Sequence, residues 1–219
     1  MGAAVERDDP VPGNEFFTLA RRRLLAEVPP GLDDLDAPAK GDPNNAEVLR
    51  AMADMRPMRT AAVLVPVVDH PEPTVLLTLR TGNLSSHAGQ IAFPGGRIDP
   101  EDETPLAAAL REAEEEIGLD RGYVEPLGYS DLYLSGTGYR IAPAVARVRP
   151  GFRLTANPAE VAEIFEVPLA FVMGPENHQL HSREWRGMMR NYYAMPFGDR
   201  YIWGVTAGIL RNVYERLYL

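Results

Sequence analysis

Runs of β-branched and leucine residues at 60–68 and 74–80 predict two strands, and His70, Pro71 and Pro73 between them suit the turn of a hairpin. Phe93-Pro94-Gly95-Gly96 reads as a turn. Thr104-Pro105 then supplies an N-cap residue followed by proline at the first helical position, so a helix is expected to run to Gly118. Further strands are expected at 123–129, 142–148 and 188–195, with a closing helix after Trp203 that reaches Leu217. Two short helical patterns, 16–25 and 46–55, precede all of this. A Pro-, Gly- and Asp-rich stretch at 28–43 joins them. Strands and helices mix without strict βαβ alternation, which predicts an α+β fold, a helix–sheet–helix sandwich on a mixed sheet. Residues 1–55 are read as an N-terminal helical arm that covers one face of the core, and 56–219 as the domain proper. There is no internal repeat.

At 219 residues the chain is long enough to bury one sizeable core. Its net charge of −9 excludes a broad basic face for DNA or RNA, so no nucleic-acid partner is expected. An acidic protein that handles phosphate must reverse its local field, and divalent cations are the usual means. The sequence has no cysteine, which removes disulfides and thiolate zinc sites and agrees with a cytoplasmic setting. The most apolar stretch, 61–68, is far shorter than a membrane span needs. The first ten residues are acidic without an apolar signal core. Neither membrane insertion nor secretion is expected. The aromatic- and methionine-rich segment 185–203 reads as core, with a homodimer interface as its other reading.

The chemistry concentrates at 111–119, Arg-Glu-Ala-Glu-Glu-Glu-Ile-Gly-Leu. On a helix, Leu106, Leu110, Ala113 and Ile117 form an apolar stripe, while Glu112, Glu115 and Glu116, at i, i+3 and i+4, converge on another face. Three like charges at such spacing repel, so a cation should offset them. A solvated face neutralised by arginines such as Arg111 is the plain alternative. The adjoining Gly95-Gly96 turn favours metal, because exposed backbone groups beside carboxylates suit Mg²⁺ or Mn²⁺ with a bound diphosphate. Zinc is the weaker choice, since the four histidines form no pair at ligand spacing.

This segment resembles the box of the Nudix hydrolases, G-x5-E-x7-R-E-U-x-E-E-x-G-U with U apolar. Arg111, Glu112, Ala113, Glu115, Glu116, Gly118 and Leu119 each fill the family's position. The first half departs. Counting from Gly96 puts the leading acid at Asp102, whereas counting back from Arg111 puts it at Glu103, so one residue is inserted. The resemblance implies a Nudix-type α/β/α sandwich, metal held by Glu112, Glu115 and Glu116, and hydrolysis of a pyrophosphate bond.

Upstream, Leu76-Leu77-Thr78-Leu79-Arg80-Thr81, Leu84, His87, Gly89-Gln90-Ile91 and Phe93-Pro94-Gly95-Gly96 are similar to the coenzyme A pyrophosphatase branch of that family. The implied reaction splits coenzyme A or a derivative into 3′,5′-ADP and a 4′-phosphopantetheine. The tryptophan- and proline-rich string of the NADH-cleaving branch is absent, as is the downstream proline of the ADP-ribose branch. Both substrates nonetheless stay open, and so does a non-catalytic nucleotide sensor. Isomerase chemistry on an isoprenoid diphosphate would need a cysteine. Arg80 and Arg97 are the expected phosphate partners, as planar bidentate donors. With them, His87, Gly95 and Gly96 make up the expected substrate contacts. Glu116 is one candidate general base. A carboxylate off the helix is better free to accept a proton, which selects Glu160 at an expected helix start or turn, with Glu163 in reserve. Arg111 is expected to pair with a carboxylate and fix its rotamer rather than touch substrate.

Overall fold

In the computed structural model, residues 13–34, 37, 39–41, 58–82, 89–185 and 187–219 are described. The helix expected at 46–55, and His87, lie outside them.

The central strand is β2 (Arg59–Val68), and its ten residues pair in parallel with all of β8 (Tyr139–Val148). A parallel pair so far apart in sequence requires a crossover, and helix α2 (Pro105–Ile117) lies within it. On the other side of β2, β3 (Thr74–Arg80) pairs antiparallel, but only at Val67–Val75 and Val68–Thr74. The expected hairpin therefore closes and then splays. Strand β5 (Gly95–Arg97) enters the resulting gap, placing Ala61, Ala62 and Val63 opposite Arg97, Gly96 and Gly95. The predicted Phe93–Gly96 turn is thus corrected: its glycines begin a strand. Two-residue strands β1 (Lys40–Gly41), β4 (Ile91–Ala92) and β7 (Tyr133–Leu134), together with β6 (Val124–Tyr129) and β9 (Val161–Pro168), complete the mixed sheet.

Period-two side-chain alternation divides this sheet between two cores. Ala62, Leu64, Val68 and Leu76 face α2, where they meet Ala109, Ala113 and Ile117. Ala61, Val65, Val67, Val75 and Leu77 face the opposite layer. That layer is built from α1 (Gly13–Arg23) and α4 (Val205–Tyr218). The result is the α/β/α sandwich. Phe16 and Ala20 of α1 are fully buried in the second core, so this part of the N-terminal arm is a packing element. Farther along the arm, the buried Arg140 donates to the carbonyls of Asp34 and Ala37 and fastens that segment to β8. After a short helix, α3 (Leu169–Val172), the chain forms a separate antiparallel sheet of β10 (Gln179–Trp185), β11 (Met188–Phe197) and β12 (Arg200–Trp203). No helix among the described residues is long and apolar enough to cross a membrane.

Candidate active site

Helix α2 is fixed at both ends. The Thr104 side chain accepts from Ala107 N–H at 3.0 Å, and Gly118 adopts a left-handed φ of 66° that turns the chain out of the helix. Between these caps the acids are badly placed for an isolated helix. Glu114, Glu115 and Glu116 occupy the last turn, where the helix dipole is already negative.

The three expected carboxylates sit at graded depth. Glu116 is 2% exposed, Glu112 18% and Glu115 57%. Glu116 Oε2 accepts from Gly95 N–H and its Oε1 from Arg80 Nη1, both at 3.1 Å. Burial nevertheless raises its pKa to about 7, against the pull of Gly95 and Arg80 and with a further push from Glu112 and Glu160. Glu112 is also raised, again chiefly by burial. Glu115 accepts from Arg111 Nη1 at 3.3 Å.

Arg111 organises the rest. It grips Asp102 with two parallel bonds, Nε to Oδ1 at 3.1 Å and Nη2 to Oδ2 at 2.9 Å, and its Nη1 reaches Glu112 at 3.1 Å. This fork holds the Asp102 carboxyl below its usual range and Arg111 above its own. The one-residue ambiguity is thereby resolved: Asp102, 7% exposed, takes the arginine, while Glu103 stays on the surface.

Arg80 bridges two carboxylates, since Nη2 also lies 3.8 Å from Glu160, which is 41% exposed. Of the helix start or turn expected near Glu160, the structure has the turn, over 158–160, which leads straight into β9. Thr81 N–H donates to the Glu160 carbonyl at 2.9 Å and fixes that turn beside β3. Glu163 is engaged elsewhere, with both oxygens taken by Arg200 at 2.6 and 3.1 Å. Among the remaining histidines, His70 meets Glu166, His178 meets the Val172 carbonyl, and His181 stacks on Tyr192.

Gly95 and Gly96 let the two sides of the sheet communicate. A Cβ on Gly96 would fall 2.5 Å from the Glu112 carboxyl, and one on Gly95 2.4 Å from the Ala62 carbonyl. Across this thin strand lies a pocket of about 250 Å³ lined by Arg80, Gly95, Gly96, Arg97, Tyr139 and Trp203 among others. Arg97 is exposed, and its carbonyl accepts from Arg111 at 3.3 Å. Sequence reasoning set the Gly95-Gly96 backbone beside the carboxylates but missed that the Gly95 amide donates to Glu116, and it missed the pocket wall from Tyr139 and Trp203, which depends on tertiary packing.

Among the described residues, no three acidic or histidine side chains form a ready-made metal cluster. Arg80 and Arg111 lie between the carboxylates instead. The donor chemistry still fits a hard cation, because Glu112, Glu115 and Glu116 offer only oxygen. Glu116 is raised chiefly because it is buried, and a bound cation would favour its charged form.

The NUDIX domain family matches residues 58–186. Among curated relatives, the uncharacterized Nudix hydrolase NudL of Photorhabdus laumondii is 43% identical over 159 residues, 73% of this chain and 85% of that protein. The protein of the same description from Yersinia pestis is 38% identical over 73% of this chain and 80% of its own length. Among solved structures, a Caenorhabditis elegans Ap4A hydrolase in a binary complex aligns over 51% of this chain and 81% of its own, at 19% identity and a TM-score of 0.44. With the family matched across more than half of its length and the carboxylate helix inside the matched region, the chain belongs to the Nudix family of hydrolases, which act on nucleoside diphosphate derivatives.

Proposed function

We propose that the chain hydrolyses the pyrophosphate bond of coenzyme A or a derivative, releasing 3′,5′-ADP and a 4′-phosphopantetheine. The observation that carries this reading is the position of Arg80. It belongs to the 76–96 stretch that resembles the coenzyme A branch, and it touches both Glu116 and Glu160. Gly95, from the end of the same stretch, donates to Glu116. The substrate-specific resemblance and the carboxylate helix therefore meet at one point. His87 is assigned to substrate binding on the resemblance alone.

Glu112, Glu115 and Glu116 would hold Mg²⁺ or Mn²⁺, which supplies positive charge against the diphosphate and acidifies bound water. Arg80 and Arg97 bind phosphate oxygens from the pocket side. Water adds to one phosphorus as the bridging P–O bond breaks, and the departing phosphate takes the bonding electrons. Glu160 accepts the water's proton, since it is solvent-accessible and Arg80 holds it near Glu116. Arg111 is a positioning residue that fixes Glu112 and Glu115. We place the reaction in the cytoplasm.

Product masses after incubation with coenzyme A, ADP-ribose, NADH and diadenosine polyphosphates, each with Mg²⁺, Mn²⁺ or chelator, test the proposal. Cation-dependent 3′,5′-ADP from coenzyme A alone is expected. Cleavage of a different diphosphate only would overturn the coenzyme A reading. No cleavage of any would leave a nucleotide sensor as the surviving function.

A further inference from the structure

The small sheet carries an arrangement that the reaction does not use. Arg183 of β10 stands directly opposite Arg190 of β11. Residues so paired share a face, and like charges directly opposite destabilise a strand pair. On the same face, His181 stacks on Tyr192 with ring centroids 5.8 Å apart, and Tyr192 meets Trp203 edge-on at 5.6 Å. Trp203 is a wall of the pocket described above. Arg190 reaches the same rim: its guanidinium lies over Gly136, where a Cβ would come within 2.7 Å of Nη2, and the flanking Ser135 and Thr137 line the pocket.

Arg80 and Arg97 line the pocket beside the carboxylates, together with the apolar Ala61, Val63 and Ile141, and Arg190, with Arg183 opposite it, reaches the rim at Gly136. In a chain of net charge −9, two facing arginines beside an aromatic wall suit an anionic group attached to a stacking base.

We propose that Arg183 and Arg190 form a second phosphate subsite, which takes a phosphomonoester on the nucleoside held in the pocket while the diphosphate lies at the Arg80 end. The inference rests on the coenzyme A reading, because coenzyme A carries such a phosphate on its ribose and 3′,5′-ADP retains it. Arg183 and Arg190 would then set specificity without touching the reacting atoms.

Calorimetric titration with 3′,5′-ADP and with 5′-AMP tests this without catalysis. The native protein is expected to bind the bisphosphate at least about tenfold more tightly, the scale of one well-placed charge-assisted contact. Arg190→Gln and Arg183→Gln should each shrink that ratio at least threefold while leaving 5′-AMP affinity within twofold. Arg183→Gln serves as the variant that leaves the packing on Gly136 intact. Equal affinity of the native protein for the two nucleotides, or a ratio that survives both substitutions, would overturn the subsite. Coenzyme A hydrolysis followed in parallel separates the two readings. A preference for 3′,5′-ADP without coenzyme A cleavage keeps the subsite and rejects the substrate, whereas cleavage without the preference does the reverse.

Discussion

Replacing Glu116 by glutamine should remove a pH dependence of folding that the metal-free protein carries. Burial raises the Glu116 carboxyl from its ordinary 4.5 to about 7. At about 1.4 kcal/mol per pH unit, the folded state prefers the protonated acid by roughly 3 kcal/mol. The sign follows from proton counting. Between pH 4.5 and 7 the folded chain keeps a proton that the unfolded chain has lost, so stability falls as pH rises through that window and levels off above it. Glu116→Gln has no such proton. Urea unfolding in chelator at pH 5, 6, 7 and 8 should therefore give curves whose difference, native minus variant, falls by about 2.5 kcal/mol from the first pH to the last. Other carboxylates titrate in both proteins and cancel, except for Glu112, whose charge pushes Glu116 in the same direction. Added Mg²⁺ or Mn²⁺ should restore the native protein at pH 8, by about 2.7 kcal/mol at a hundredfold excess over Kd, and leave the variant unchanged. Differences that stay flat within about 1 kcal/mol across the range would refute a buried, proton-holding Glu116.

The glycine pair should separate stability from activity. In Gly96→Ala the new methyl meets the movable end of Glu112, so stability should change by less than about 1 kcal/mol. Hydrolysis should fall by ~10²-fold, because displacing a reacting group by about 1 Å has that scale. In Gly95→Ala the methyl meets the Ala62 carbonyl and the Val63 backbone at a φ of +151°, so unfolding should become easier by at least ~2 kcal/mol. Arg111→Ala should lower turnover about 10- to 100-fold through Glu112 and Glu115, and it should return the Asp102 carboxyl toward its ordinary range, a shift that NMR titration of that residue reads directly.

Elements with a local signal were legible in the sequence. The strand at 74–80 has the expected bounds, and α2 ends at Gly118 because a left-handed glycine cap follows from residue type alone. The pairing of β2 with β8 was not legible, because seventy or more residues separate them and each reads only as an apolar run. Gly95-Gly96 misled for a related reason. Local chemistry marks such a dipeptide as a turn, and only the gap left where β2 and β3 diverge makes it a strand. Within the site, helical spacing placed the three acids on one face, but spacing carries no depth. That Glu116 is buried while Glu115 is mostly exposed depends on β3 and β5 covering one side of the helix end. Glu160 and Arg80, eighty residues apart, meet because β9 pairs with β3 and the turn before β9 hydrogen-bonds to Thr81.

The two halves of α2 pull in opposite directions, and the conflict accounts for its surroundings. Its apolar side buries Ala109, Ala113 and Ile117 against β2, which contributes on the order of 1 kcal/mol for each alanine and about 2–3 kcal/mol for Ile117. Its acidic side collects like charge at the end of the helix where the dipole already disfavours it. A helix on the surface for packing alone would gain by replacing those glutamates with neutral or basic residues. Here the fold retains them and adds arginine from β3, an amide from β5 and an arginine clamped by Asp102. Those additions do not fully offset the burial of Glu116, which still favours its proton up to about pH 7. The cost of burying that charge is what a divalent cation would offset, so the strength of any cation binding and the instability of the metal-free site would be two sides of one free energy. Any variant that relaxes the metal-free helix by removing its acids should for that reason weaken the cation and the reaction together.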